Sequence, residues 1–197
     1  MPFLKQDPRV PPGQSVTKGF PVLHVGDIPR VDLSTWRLRV FGMVENPFEL
    51  SFDELRAMPS KTWHGDIHCV TRWSKLDTTW KGVPFSEIVA RAKPAAQVTH
   101  VIQHADGDYT ANLPLKVMLD DDVMIAYEFD GGPIEPVHGG PIRMVVPKRY
   151  FWKSAKWLSG IEFLDHDVRG FWEVRGYHND ADPWKEERYS DLPSWAS

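Results

Sequence analysis

The sequence predicts a single α+β domain, and three observations carry that expectation. A chain of 197 residues is long enough to bury a sizeable core yet short enough for one domain. Several short apolar or alternating runs read as strands and two or three as short helices, with no regular strand–helix–strand alternation. No G-x-G-x-x-G follows a strand and no P-loop pattern occurs, so a doubly wound nucleotide-binding fold has no support.

The elements follow in chain order. Residues 1–30 hold Pro2, Pro8, Pro11, Pro12, Pro21 and Pro29, a density that forbids regular helix. Residues 1–19 are expected to form an extended arm lying over a domain of residues 20–197. Trp36, Leu38 and Val40 alternate with Arg37 and Arg39, the pattern of a half-buried strand. Ser51 and Glu54 form a capping box that opens a short helix ended by Pro59. Residues 61–70 read as a strand leading into a loop at Cys69. Residues 84–92 read as a helix with Phe85, Ile88 and Val89 on one face. Residues 98–104 and 109–113 flank Asp106-Gly107-Asp108, a hairpin signal. Residues 123–129, 142–146 and 158–164 are further strands. From about His166 the chain is polar, aromatic and irregular.

Charge and hydropathy narrow the function classes. The formal charge of −4 gives no global attraction to nucleic acid. No apolar run approaches the roughly 18 residues that span a bilayer. The N-terminus shows no hydrophobic signal core and no twin arginine, so a cytoplasmic protein is expected. Locally, an acidic stretch of Asp120, Asp121, Asp122, Glu128, Asp130 and Glu135 precedes a window free of acids up to Glu162. That window holds Arg143, Lys148, Arg149, Lys153 and Lys156. It reads either as a solvated basic face or as an anion site.

Cys69 is the chain's one cysteine. It cannot form an internal disulfide and is a buried spectator, a nucleophile or a metal ligand. His64, His68, Arg72 and Lys75 surround it in sequence, and nearby cations favour thiolate, a soft ligand suited to transition metals. Zinc fits poorly, because one cysteine with scattered histidines has no zinc-ligand spacing. A Cys–His nucleophile has no local signature, and nothing singles out one of the eight histidines as its base.

The segment from His138 to Arg143 is the second constellation. Gly139 and Gly140 permit close backbone approach to a ligand, exposed N–H groups bind anions, and Arg143 offers a planar fork for phosphate. Ser154 and Lys156 add a hydroxyl and a point charge. A tight turn feeding a basic strand is the alternative reading.

From about residue 20 to residue 177 the chain resembles the sulfite oxidase family, the molybdopterin-binding oxidoreductase domain. The resemblance rests on Cys69 ahead of Trp80-Lys81-Gly82-Val83-Pro84, the run from Ala126, the H-G-x-P-[IV]-R pattern ending at Arg143 and the S-x-K-W-L pattern ending at Leu158. It implies a mixed-sheet sulfite-oxidase-type fold and a molybdenum–molybdopterin cofactor. Cys69 would ligate molybdenum and Arg143 would hold the pterin phosphate. His138 would be a further polar contact, and Ser154, Ala155 and Lys156 would wrap the same phosphate. His24 would lie near the pterin and His104 would be another cofactor contact. Tyr177, spaced from Trp172 as in the family, would face the metal as a catalytic group.

The implied reaction is two-electron oxygen-atom transfer on a small S-oxide, N-oxide or sulfur oxyanion. A catalytically silent molybdopterin-binding or electron-transfer module is the alternative. Val22-Leu23-His24 stands where sulfite oxidases carry an arginine before their asparagine–histidine pair, and VTRWSKLD follows Cys69. Arg72, Trp73, Ser74 and Asp77 are therefore the candidates for a substrate pocket. The resemblance covers neither a haem domain nor an immunoglobulin-like dimerisation domain. The expected partners are a small-molecule substrate and a separate electron-transfer protein, with a monomer as the expected state.

Overall fold

Two mixed sheets organise residues 7–190, the part of the chain that the computed structural model describes. In chain order the elements are β1 (Ser15–Val16), β2 (Leu38–Gly42), β3 (Phe48–Leu50), α1 (Phe52–Ala57), β4 (Lys61–His68), β5 (Trp73–Pro84) and α2 (Phe85–Ala92). They continue with β6 (His100–Ala105), β7 (Thr110–Pro114), α3 (Leu115–Met118), β8 (Met124–Phe129), β9 (Gly132–Pro133), β10 (Arg143–Val145) and β11 (Leu158–Leu164). One sheet runs β1-β5-β8-β10, with β4 also on β5 and β9 also on β8; the other runs β3-β2-β11-β6-β7. The β1/β5 and β2/β11 pairs are parallel and the rest antiparallel. The expected α+β mixed-sheet fold is the one that forms.

Local chemistry accounts for the elements. In β2, Leu38 and Val40 are buried while Arg39 is exposed, the period of two that a one-sided core demands. At α1 the Ser51 side chain accepts from the Glu54 N–H, and the Ser51 N–H donates to Glu54 Oε2 at 2.8 Å. Helix α2 buries Phe85, Ile88 and Ala92 and ends at Lys93 in the left-handed region. The main core takes Leu38, Val40, Ile161 and Phe163 from one sheet and Val83, Ile125 and Met144 from the other, so it lies where the sheets meet.

Two regions differ from the sequence reading. The stretch after Cys69 is the longest strand, β5, which pairs with β1, β4 and β8. Lys75, Asp77 and Lys81 interrupt its apolar pattern, and neighbouring strands on both sides impose the extended form. The N-terminal arm also joins a sheet: the Ser15 N–H donates to the Arg72 carbonyl and the Thr17 N–H to the Ser74 carbonyl, both at 2.9 Å. The arm's residues 1–6 and the tail's residues 191–197 lie outside the described residues. The tail from residue 166 to residue 190 has only short 3-10 turns and folds back on the domain, where Tyr177 bridges Tyr189. Among the described residues no helix is long and apolar enough to cross a membrane.

Candidate functional site

A cavity of about 350 Å³ opens where the 20–25 segment, the Cys69 loop, the β6–β7 hairpin, the 151–157 segment and the tail converge. Its size is that of a small-molecule site. Cys69 stands just beyond the end of β4. Its N–H donates to the Trp73 carbonyl and its own carbonyl accepts from the Arg72 N–H, a tight turn that Arg72 completes with φ of 73°. The thiol lies 3.2 Å from Thr71 Oγ1. Burial pushes it above the ordinary thiol value, and the Thr71 hydrogen bonds and the charge of Arg188 oppose that.

Arg143, on β10, lines the same cavity and is 1% exposed. Its Nη1 donates to the His138 carbonyl at 2.6 Å and its Nη2 to the Ser154 carbonyl at 2.9 Å. The guanidinium sits 4.2 Å over the Phe151 ring. Burial pushes it down to about 9. Lys156 donates to the Leu23 carbonyl at 2.8 Å and the Val137 carbonyl at 2.7 Å. Burial first, and then the Arg143 charge, push it down to about 7. Neither cation has a carboxylate partner among the described residues. Buried charge without a counter-ion is costly, so this wall fits an anion. Gly139 explains the approach of Lys156: φ is +103°, and a Cβ there would stand 2.8 Å from the Lys156 Cβ.

The other predicted residues divide. His24, Trp73, Ser154 and Tyr177 line the cavity. His24 packs edge-on against Trp157 with Nδ1 2.9 Å from the Gly26 carbonyl, and Ser154 Oγ accepts from the Val146 N–H. His138 stands behind the wall, its ring stacked on Phe20 at 4.0 Å and its Nδ1 buried without a partner. Burial, and then the charges of Lys156 and Arg143, hold it below the ordinary histidine value.

His104, Ala155, Arg72, Ser74 and Asp77 are not brought to the cavity. His104 pairs with Glu162 at 2.8 Å across β6 and β11. Ala155 lies in the main core, its N–H bonded to Gln103 Oε1. The exposed Arg72 reaches the Gly13 carbonyl. Ser74 alternates to the opposite side of β5 from Trp73 and holds His68 Nδ1 at 2.8 Å. Asp77 is exposed and pairs with Arg9 at 2.7 Å.

The cavity also holds residues that the sequence reading passes over: Thr71, Asp106, Tyr109, Trp152 and Trp157. The sequence assigns Asp106 only to a turn; in the cavity, burial pushes its carboxyl up. Tyr109 donates its hydroxyl to the Trp152 carbonyl. Aromatic character is the one signal for Trp152 and Trp157, and no spacing rule places them at a ligand.

The chain resembles known proteins in sequence and in fold. The family model described as the oxidoreductase molybdopterin binding domain matches residues 25–172. A Bacillus subtilis (strain 168) protein named "Uncharacterized oxidoreductase YuiH" is 47% identical over 186 residues, covering 94% of each chain. An Azospira oryzae protein named "Putative protein-methionine-sulfoxide reductase subunit YedZ1" is 25% identical over 170 residues, covering 85% of this chain and 64% of that one. Among solved structures, the sulfane dehydrogenase SoxCD from Paracoccus pantotrophus shares the fold, with a TM-score of 0.66 and 22% identity over 72% of this chain and 41% of that one. The chain thus spans less than two thirds of the last two proteins.

Proposed function

We propose, from the premise that the chain belongs to the oxidoreductase molybdopterin-binding domain family, that the cavity seats molybdopterin with its molybdenum at Cys69 and that the protein catalyses two-electron oxygen-atom transfer. The observation that carries this reading is the pair of cations, the buried Arg143 and the half-buried Lys156, bonded only to carbonyls in a cavity that also contains the chain's one thiol.

The residues fit the group by the chemistry of their donors. Arg143 and Lys156 would hold the phosphate, with the Ser154 hydroxyl beside them. Asp106 is an acceptor for the N–H groups of a pterin, and His24, Trp157 and Phe20 offer flat surfaces. Cys69 would supply the thiolate, losing its proton as metal binds. When bound, the cofactor supplies the oxygen-atom transfer and the two-electron exchange. Tyr109, Trp152, Trp172 and Tyr177 would exclude water around that end. The word "subunit" in the name of the Azospira relative supports a separate protein as the electron-transfer partner of this chain.

The test is molybdenum content, with pterin analysis, of protein purified from a host that makes the cofactor. About one molybdenum per chain is expected. Cys69→Ser should lose redox turnover while keeping part of the pterin. Absence of both molybdenum and pterin, in a host that loads a control enzyme, would overturn the reading.

A further inference from the structure

We propose that Gln14 of the N-terminal arm and Arg188 of the tail are positioning residues for Cys69: together they clamp the turn that carries the thiol, and the arginine's charge raises the reduction potential of the metal held there. This rests on the molybdopterin reading above. It gives a role to segments on either side of residues 25–172, the part of the chain that the family model matches.

The first argument is geometry. The turn from Cys69 to Arg72 is closed by the Arg72 N–H on the Cys69 carbonyl at 3.0 Å. Its first two carbonyls are also held from outside. Gln14 Nε2 donates to the Cys69 carbonyl at 2.9 Å, and Arg188 Nη1 donates to the Val70 carbonyl at 2.6 Å. Both side chains are buried, Gln14 at 8% exposure and Arg188 at 5%. The two segments are tied to the turn and to each other. The Ser15 N–H donates to the Arg72 carbonyl at 2.9 Å, which fixes the arm beside the turn. Arg188 Nη2 lies 3.4 Å from the Pro12 and Gly13 carbonyls, which fixes the tail on the arm. Arm, turn and tail thus form one hydrogen-bonded unit. Such buried bonds to distant segments hold the Cys69 backbone, and with it the direction of the thiol, in one arrangement.

The second argument is charge. Burial disfavours the Cys69 thiolate; the Thr71 hydrogen bonds and the charge of Arg188 favour it. The carboxylate of Glu186 stands 3.6 Å from Arg188 but is 45% exposed, so water screens it more than it screens the buried arginine. A fixed positive charge near a metal thiolate stabilises the electron-richer, reduced metal, as local charge and hydrogen bonding do at iron–sulfur centres. Gln14 is neutral and orients the turn without adding charge. The two residues therefore separate orientation from potential.

The experiment is a potentiometric titration of cofactor-loaded protein, with dithionite as reductant and ferricyanide as oxidant. It is followed by the electron paramagnetic resonance of the one-electron-reduced metal. Arg188→Met should lower the equilibrium constant of the first one-electron reduction about tenfold, the scale of one buried charge acting on another; tenfold is about 59 mV for one electron. Arg188→Lys keeps the charge and should recover most of that shift. Glu186→Gln removes an exposed counter-charge and should raise the same constant about twofold in low-salt buffer. Gln14→Leu should leave the midpoint in place and change the principal g values, which follow the orientation of the thiolate sulfur. Molybdenum content should match wild type in all four. An unchanged midpoint in Arg188→Met would overturn the charge role; where that variant does not fold, a midpoint that fails to rise in Glu186→Gln would do so. Unchanged g values in Gln14→Leu would overturn the positioning role. Both results, with normal molybdenum, leave the molybdopterin reading standing. Loss of molybdenum from folded Gln14→Leu would make the residue a requirement for metal retention and overturn its assignment here. Wild-type protein without molybdenum would remove both readings.

Discussion

Arg143 and Lys156 share one cavity wall, and both are held by main-chain carbonyls: His138, Met144 and Ser154 for the arginine, Leu23 and Val137 for the lysine. The wall is thus rigid and positive before any ligand arrives. Placing donors in advance reduces the ordering cost of binding.

The cofactor-free chain should therefore be stabilised by a dianion, and more so at low pH. Burial holds Lys156 at about 7 in the folded state, against 10.5 for an ordinary lysine. Between those values the unfolded chain binds the extra proton, so this group makes stability rise with pH through that window. Below pH 7 the buried ammonium is charged and its penalty is full. Sulfate keeps the same charge over this range and would meet two cations at pH 6 but mainly Arg143 at pH 8. The thermal midpoint should rise more with sulfate at pH 6 than at pH 8. General salting effects of sulfate should remain in Lys156→Met while the difference between the two pH values disappears.

Arg143→Lys tests geometry at constant charge. A lysine ammonium is a point charge and cannot span the His138 and Ser154 carbonyls while presenting a fork to phosphate. Molybdenum content should fall at least about tenfold, as for loss of a charge-assisted hydrogen bond worth about 1.5–3 kcal/mol. Retention equal to wild type would remove Arg143 from the phosphate site.

Much of this site was legible because its chemistry is local in sequence. Cys69, Arg143, Ser154 and Lys156 fall inside short patterns, and all four line the cavity. Strand β2, the capped helix α1 and the β6–β7 hairpin were legible for the same reason: alternation, a cap and a turn each act within a few residues. What was not legible depends on pairing between distant segments. The Trp80–Pro84 motif marks a register shift where β5 pairs with β8, and a Cβ on Gly82 would lie 2.1 Å from the Ile125 carbonyl oxygen. Ser74 and Trp73 part because neighbours in a strand face opposite ways, which divides the expected substrate pocket. Asp106 replaces His104 at the cavity because the hairpin tip, and not the body of β6, reaches it.

Arg188 should matter more than its place in an irregular tail implies. It is 5% exposed, and its Nη1 donates to the Val70 carbonyl at 2.6 Å, next to Cys69. Its Nη2 reaches the Pro12 and Gly13 carbonyls at 3.4 Å, and the guanidinium lies 4.8 Å over the Tyr150 ring. Arg188→Ala leaves the Val70 carbonyl without its donor and opens a gap beneath the Cys69 loop. Urea unfolding should show a loss of about 2–3 kcal/mol. A loss no greater than that of a surface substitution, about 0.5 kcal/mol, would confine Arg188 to the tail.

The buried pair of Lys153 and Glu173 should be the most sensitive point outside the cavity. Their side chains are 0% and 1% exposed and 2.6 Å apart. The lysine also donates to the Asn112 carbonyl and side-chain oxygen at 2.9 Å. Glu173 Oε1 accepts from the Trp152 indole at 2.8 Å, so the pair fixes a cavity wall as well as the turn between Trp172 and Tyr177. Burial pulls the lysine below its ordinary value and the charge of Glu173 opposes it. Glu173→Gln keeps the shape but leaves Lys153 charged, or forces it neutral, at a cost of about 3–5 kcal/mol. The double change of Lys153→Met with Glu173→Leu removes both charges and should recover much of that loss. In Glu173→Gln, backbone amides of residues 172–177 should exchange with deuterium faster than those of β2 and β11. If the single change costs no more than a surface substitution, about 0.5 kcal/mol, the pair does not anchor the wall.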